Sequence, residues 1–100
     1  RALAGRRDEA EAIAARIKPL ADPTRILLLA QLAWTPMSVS ELAETFDLSQ
    51  PTVSVHLQKL RDAGFVQARR EGGRTVHSAS EEALEHALDS VRGALLDLCE

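Results

Sequence analysis

Apolar residues recur at helical spacing along most of this chain, and the exceptions gather in one short segment. Between residues 8 and 20, Ala10, Ile13, Ala14 and Ile17 repeat at intervals of three and four. That spacing predicts an amphipathic helix, which Pro19 disfavours continuing. Asp22 followed by Pro23 reads as an N-cap with proline at the first helical position. The helix Pro23–Ala33 is apolar on most sides (Ile26, Leu27, Leu28, Leu29, Leu32), so it is expected to be the central core helix. Ser38-Val39-Ser40-Glu41 fits a capping box and opens a short helix that turns Val39, Leu42, Ala43 and Phe46 inward. Asp47-Leu48 makes a tight turn before Ser49, the cap of a second helix. That helix buries Val53, Leu57 and Leu60 and ends near Asp62-Ala63-Gly64. Two short helices joined by so tight a turn are a helix-turn-helix.

The period then changes. Phe65-Val66-Gln67-Ala68-Arg69-Arg70 alternates loosely, Glu71-Gly72-Gly73-Arg74 turns, and Thr75-Val76-His77-Ser78 returns, which predicts a β-hairpin. Ser80 caps a last helix with Glu81 and Glu82 in its first turn. Leu84, Leu88, Val91, Leu95 and Leu98 repeat at 4-3-4-3, a heptad-like seam. Packing against the helix's own domain is one explanation. A two-fold dimer seam shared with Ile13 and Ile17 of helix 8–20 is the favoured one, because little of so small a domain is left to cover a terminal helix. The expected fold is therefore mainly α: a winged helix-turn-helix of about five helices and a two-stranded wing. It forms one domain over 1–100, with 8–20 and 80–100 as dimerisation helices, 38–63 as the helix-turn-helix and 65–78 as the wing.

Composition narrows the setting. One hundred residues with 45% hydrophobic and 3% aromatic content make one domain with a modest aliphatic core. No apolar run approaches the roughly 20 residues of a membrane span, and no signal peptide is evident. A lone cysteine, Cys99, excludes an intrachain disulfide and suits a reducing cytoplasm. The net charge of -3 hides a segregation. Residues 49–76 carry Lys59, Arg61, Arg69, Arg70 and Arg74 against Asp62 and Glu71, whereas residues 77–100 carry Arg92 against six carboxylates. Local sign, not the total, governs phosphate contact.

The positive block coincides with the second helix of the helix-turn-helix and the hairpin after it. Gln50, Thr52, Ser54, Val55 and Gln58 bring short hydrogen-bonding groups and one methyl-bearing side chain, a mixture suited to base edges in a major groove. By composition alone a solvated helix face is as good a reading; the flanking helix-turn-helix decides between them. Ser49, His56, Lys59 and Arg61, with Arg69, Arg70 and Arg74 of the wing, are expected at phosphates or in the minor groove. No residues assemble an enzymatic constellation, and Gly72-Gly73 is a hairpin turn rather than a phosphate-cradling loop.

Four segments then carry a resemblance: Leu20-Ala21-Asp22-Pro23-Thr24-Arg25-Ile26-Leu27, Val39-Ser40-Glu41-Leu42-Ala43, Leu48-Ser49-Gln50-Pro51-Thr52-Val53-Ser54-Val55-His56-Leu57 and Leu60-Arg61-Asp62-Ala63-Gly64-Phe65-Val66. In this order and spacing, from about residue 10 to residue 98, they resemble the ArsR/SmtB family of bacterial winged-helix repressors. The resemblance implies a homodimer built from the first and last helices. It implies binding to an imperfect inverted repeat in promoter DNA, and repression relieved by an inducer. In many members the inducer is a metal ion or metalloid. His56 matches a histidine common in the family's recognition helix.

The family's ligand sets are missing. One type uses cysteines in or just before the first helix of the helix-turn-helix, where this chain has Pro36-Met37-Ser38-Val39-Ser40-Glu41-Leu42-Ala43. Another uses Asp, His and Glu on the last helix, at positions that here are Glu82, Leu84, Leu95 and Leu98; three leucines do not bind zinc. Thiol sensors of the family use two cysteines. Glu82, His86 and Asp89 share a helix face and are the remaining metal candidates, with an exposed polar face as the plainer reading. His77 is expected to be structural or on the surface. Cys99 lies where it could meet its dimer mate, with an inert thiol as the plainer reading. No cofactor is expected; a divalent transition metal would need an unconventional ligand set. Two alternatives stand beside a repressor: an accessory regulator whose signal comes through a partner protein, and a winged-helix protein-interaction module.

Overall fold

A computed structural model describes the backbone of residues 3–99 and the side chains of residues 5–96. Its elements run α1 (Arg7–Ile17), α2 (Pro23–Trp34), α3 (Val39–Phe46), α4 (Gln50–Asp62), β1 (Val66–Glu71), β2 (Arg74–Ala79) and α5 (Glu81–Cys99). The cap motifs set these starts. Asp22 accepts a hydrogen bond from the Arg25 N–H at 3.0 Å. Ser38 and Glu41 close a reciprocal capping box, and Ser80 accepts from the Ala83 N–H. Each satisfies N–H groups that the first helical turn leaves without a partner.

The first helix is shorter than its apolar spacing predicts. It ends at Ile17, and Lys18–Leu20 tighten into a 3₁₀ turn around Pro19, whose missing N–H cannot extend the α-helical ladder. The hairpin register pairs Val66 with Ala79 and Glu71 with Arg74, leaving Gly72-Gly73 as a two-residue loop. Both glycines have positive φ (59° and 82°), as a type I′ hairpin turn requires. One pairing was not visible in the pattern: Met37 bridges antiparallel to His77, with N–O distances of 3.1 and 2.7 Å. The loop before α3 thereby adds a short third edge to the wing.

Leu28, Leu29 and Leu32 of α2 form the core with Leu42, Val53, Leu57, Leu60, Phe65, Val66 and Ala87. α2 supplies the core as expected, but not with all of its apolar residues. Only those three of its residues are buried. Ile26 and Leu27 are more than half exposed and Trp34 is 86% exposed. α2 packs on α4, on β2 and on the Lys18–Leu20 turn, and these leave Ile26, Leu27 and Trp34 uncovered among the described residues.

α1 and α5 pack on each other and draw the molecule out to 54 × 22 × 18 Å. Of the described residues, none in α1 is fully buried. The expected seam divides. Ile17 and Leu84 pack against the protomer's own core, which corrects their assignment to a seam alone: they sit at the root of the two helices, where the domain still reaches them. Ile13 and Val91 are half-buried, while Leu88 (58%) and Leu95 (59%) stand exposed. The side chains of Leu98 and Cys99 lie outside the described residues.

Candidate nucleic-acid interface

The helix-turn-helix is held at its corner by backbone geometry. Asp47 takes the left-handed conformation (φ 53°), and the Leu48 N–H reaches back to the Ala43 carbonyl at 2.9 Å, closing α3. Aspartate tolerates that conformation better than most residues. Two residues later Ser49 starts α4: its hydroxyl oxygen accepts from the Thr52 N–H at 3.2 Å and its proton goes to Thr52 Oγ1 at 2.8 Å. At the far end Gly64 (φ 84°) closes α4 by the same device, with the Phe65 N–H on the Leu60 carbonyl at 2.9 Å.

Val53, Leu57 and Leu60 anchor α4 in the core, so its opposite face must point away from the domain. Gln50, Thr52, Ser54, Val55, Gln58, Lys59 and Arg61 are all exposed on it. Val55 is 56% exposed, an apolar side chain at the outermost line of the helix. The expected base-reading group thus shares one convex surface, yet its members are not equally free. Gln50 donates to Ser40 Oγ at 3.4 Å, which ties α4 to α3. Gln58 donates to Asp62 at 2.7 Å and accepts from Arg61 at 3.3 Å. The C-terminal half of the face is therefore knitted to itself and carries a carboxylate. The N-terminal half, Gln50 to Val55, carries no ionisable side chain.

His56 lies on the flank toward α2. Arg25 donates from Nη1 to His56 Nδ1 at 3.2 Å and from Nε to the Pro19 carbonyl at 2.7 Å. A guanidinium only donates, so Nδ1 is the acceptor and the proton of the neutral ring sits on Nε2. Asp22, whose carboxyl is held below the usual range by the Arg25 N–H and by the Arg25 charge, fixes the start of the helix that carries this arginine. Arg25 was missed as a site residue because nothing in a local pattern says where its guanidinium reaches.

The wing arginines are placed but occupied. Arg69 pairs with Glu71 at 2.8 Å. Arg70 donates to Thr75 Oγ1 and to the Gly73 carbonyl. Arg74 pairs with Glu41 at 2.7 Å. Glu41 Oε1 also accepts from the Ser38 N–H at 3.0 Å, and that backbone bond leads the causes that hold its carboxyl below the usual value, Arg74 adding to it. One carboxylate therefore caps α3 and tethers the wing tip. These exposed pairs are screened by solvent and worth little, so a phosphate can replace the carboxylate.

His77, expected to be structural or on the surface, is buried between wing and helix-turn-helix at 5% exposure. Its Nδ1 has no hydrogen-bond partner among the described atoms. Burial pushes its pKa down, and the Arg61 charge pushes the same way. It borders open clefts that run past Ser38, Glu41 and Arg74 on one side and Ser54, Gln58 and Arg61 on the other.

The metal candidates are not brought together. Glu82, His86 and Asp89 are exposed, and no group of three His, Cys, Asp or Glu among the described residues is placed to hold an ion. The positions at which the resemblance puts metal ligands on α5, Glu82, Leu84, Leu95 and Leu98, are three leucines and one carboxylate, and the segment 36–43 before and within α3 has no cysteine, so neither set fits a metal. No helix among the described residues is long and apolar enough to cross a membrane.

Known proteins place this architecture. The biofilm growth-associated repressor of Agrobacterium fabrum is 35% identical over 79 residues, 79% of this chain and 68% of that protein. Among solved structures, an ArsR-like transcriptional regulator from Rhodococcus sp. RHA1 superposes with a TM-score of 0.77 at 26% identity, over 89% of this chain and 87% of that one. A homodimeric winged helix-turn-helix DNA-binding domain from Mycobacterium bovis gives 0.68 at 33% identity, over 89% and 85%. Residues 22–68, which span α2 to the first half of β1, match the bacterial regulatory proteins of the arsR family. With the caps, the helix-turn-helix and the wing of that family all in place, this chain belongs to the arsR family of bacterial regulatory proteins.

Proposed function

We propose that the chain acts as a dimeric, sequence-specific DNA-binding repressor. Its two recognition helices α4 enter successive major grooves on one face of the duplex, about 34–36 Å apart. The observation that carries this reading is the exposed N-terminal half of α4. It is rigidly capped, free of ionisable groups and lined with Gln50, Thr52, Ser54 and Val55. These side chains read base edges. Lys59, Arg61 and the Nε2–H of His56 meet phosphates, and Arg70 and Arg74 exchange their intramolecular partners for the DNA backbone. The dimer forms through α1 and α5, where Leu88 and Leu95 are left bare. The relatives' names as repressors support the direction of regulation.

A second reading concerns the signal. The chain lacks the family's metal ligands and exposes Ile26, Leu27 and Trp34 on one side of α2. Both features favour a regulator whose signal arrives through a partner protein rather than an ion.

Fluorescence anisotropy on the DNA upstream of the protein's own gene tests both. Tight binding that weakens steeply with salt, and far weaker binding to unrelated DNA, is expected. Equal, salt-indifferent affinity for both duplexes would remove the DNA reading. Release by added Zn, Ni, Co or Cu ions would overturn the second reading.

A further inference from the structure

The outermost surface of α4 is apolar where a solvated helix would carry charge. Pro51 and Val55, one turn apart, line a shallow notch of about 290 Å³ together with Thr52 and His56. Its polar acceptors are engaged within the protein, while among the described residues the Thr52 O–H and the His56 Nε2–H stay free at its rim. Thr52 Oγ1 accepts from Ser49 at 2.8 Å, His56 Nδ1 accepts from Arg25 at 3.2 Å, and Pro51 has no N–H to offer. The notch therefore presents mostly carbon, on the half of the helix that lacks ionisable side chains.

Among the edges that base pairs show in the major groove, one group is apolar: the 5-methyl of thymine. Donor and acceptor edges set against Pro51 and Val55 would lose their water without gaining a partner, and such desolvation disfavours them. We infer that this notch seats a thymine 5-methyl in each operator half-site, with Val55 and Pro51 as the specificity-determining residues. The inference rests on the DNA-reading function proposed above and names one feature of its substrate. It also singles out Pro51, whose missing N–H makes it invisible to a search for hydrogen-bonding readers.

The test removes only the methyl. The tightest-binding duplex is selected from a random pool, then resynthesised with deoxyuridine replacing thymidine one position at a time. Deoxyuridine keeps every hydrogen-bonding edge of thymidine. One symmetry-related pair of positions should respond, with affinity falling about fourfold for one replacement and about fifteenfold for both, the scale of burying one methyl group. Val55→Ala should bind the thymidine duplex more weakly than the wild type and scarcely distinguish it from the deoxyuridine duplex. Selected, salt-sensitive binding with no deoxyuridine effect at any position would overturn the notch while leaving DNA reading intact. A Val55→Ala protein with full thymidine discrimination would do the same. Failure to select any preferred sequence would overturn both.

Discussion

Leu88→Asp offers the sharpest test of how two copies of this chain meet. In the protomer Leu88 is 58% exposed and lies outside the hydrophobic core, so the substitution should spare the folded domain. Full burial of a leucine stabilises by about 1.5–3 kcal/mol. Covering the part still exposed is thus worth roughly 1–1.7 kcal/mol, and two-fold symmetry counts it twice, about 2–3.5 kcal/mol per dimer. The aspartate also places an unpaired carboxylate in an apolar seam, at a cost of several kcal/mol. The sum is at least about 5 kcal/mol, or roughly three to four decades in the dimer Kd. Sedimentation velocity over a wide range of protein concentration reads this directly, with circular dichroism confirming that the helices persist. Leu88→Ala should show the smaller loss of about 2–3.5 kcal/mol. A Leu88→Asp protein that dimerises with unchanged Kd would refute the assignment of α5 to the interface.

Gln50→Ala should lose about 1–3 kcal/mol on a selected operator while sparing binding to random DNA; equal losses on both would show that Gln50 reads no base. Arg70→Ala should weaken all DNA and lower the salt slope by about one unit, and an unchanged slope would remove the wing tip from the contact. Ser49→Ala should cost about 1 kcal/mol in thermal or urea unfolding through loss of the α4 cap; a smaller loss would mean that water replaces the cap. His77 has a folded-state pKa below its unfolded value of about 6.5, so acid favours the unfolded chain, which binds the proton more readily. Its stabilising share is complete above about pH 6.5 and is lost as the pH falls below that, a higher window than the one in which Asp22 and Glu41 titrate. Urea unfolding should therefore show stability declining from pH 6.5 toward 5 in the wild type. His77→Gln should flatten that decline, and an identical slope in both proteins would dismiss His77 as its source.

What the sequence made legible was local. Asp22, Ser38 with Glu41, Ser49 and Ser80 announce helix starts because their side chains bond only two or three residues ahead. Gly72-Gly73 fixes the hairpin because its two residues alone set the turn. What stayed hidden spans long separations. Arg25 meets His56 across 31 residues and Arg74 meets Glu41 across 33, and no periodicity encodes such meetings. Met37 pairing with His77 is hidden likewise, since one bridge leaves no alternation to detect. The exposed apolar residues of α2 have a different source. A run of apolar residues states that a helix can be covered on every side, not that its own chain supplies the cover.

The projecting pair α1 and α5 also sets a mechanical scale. The 19 residues of α5 span about 28 Å at 1.5 Å per residue. A tilt of roughly 7° at its root moves the far end of such a helix by about 3.4 Å, the rise of one base step. In the dimer proposed above, a perturbation confined to the junction would then shift a reading head on the scale of one base step. A small bend at the root of this lever is thus matched in size to the spacing that DNA itself imposes.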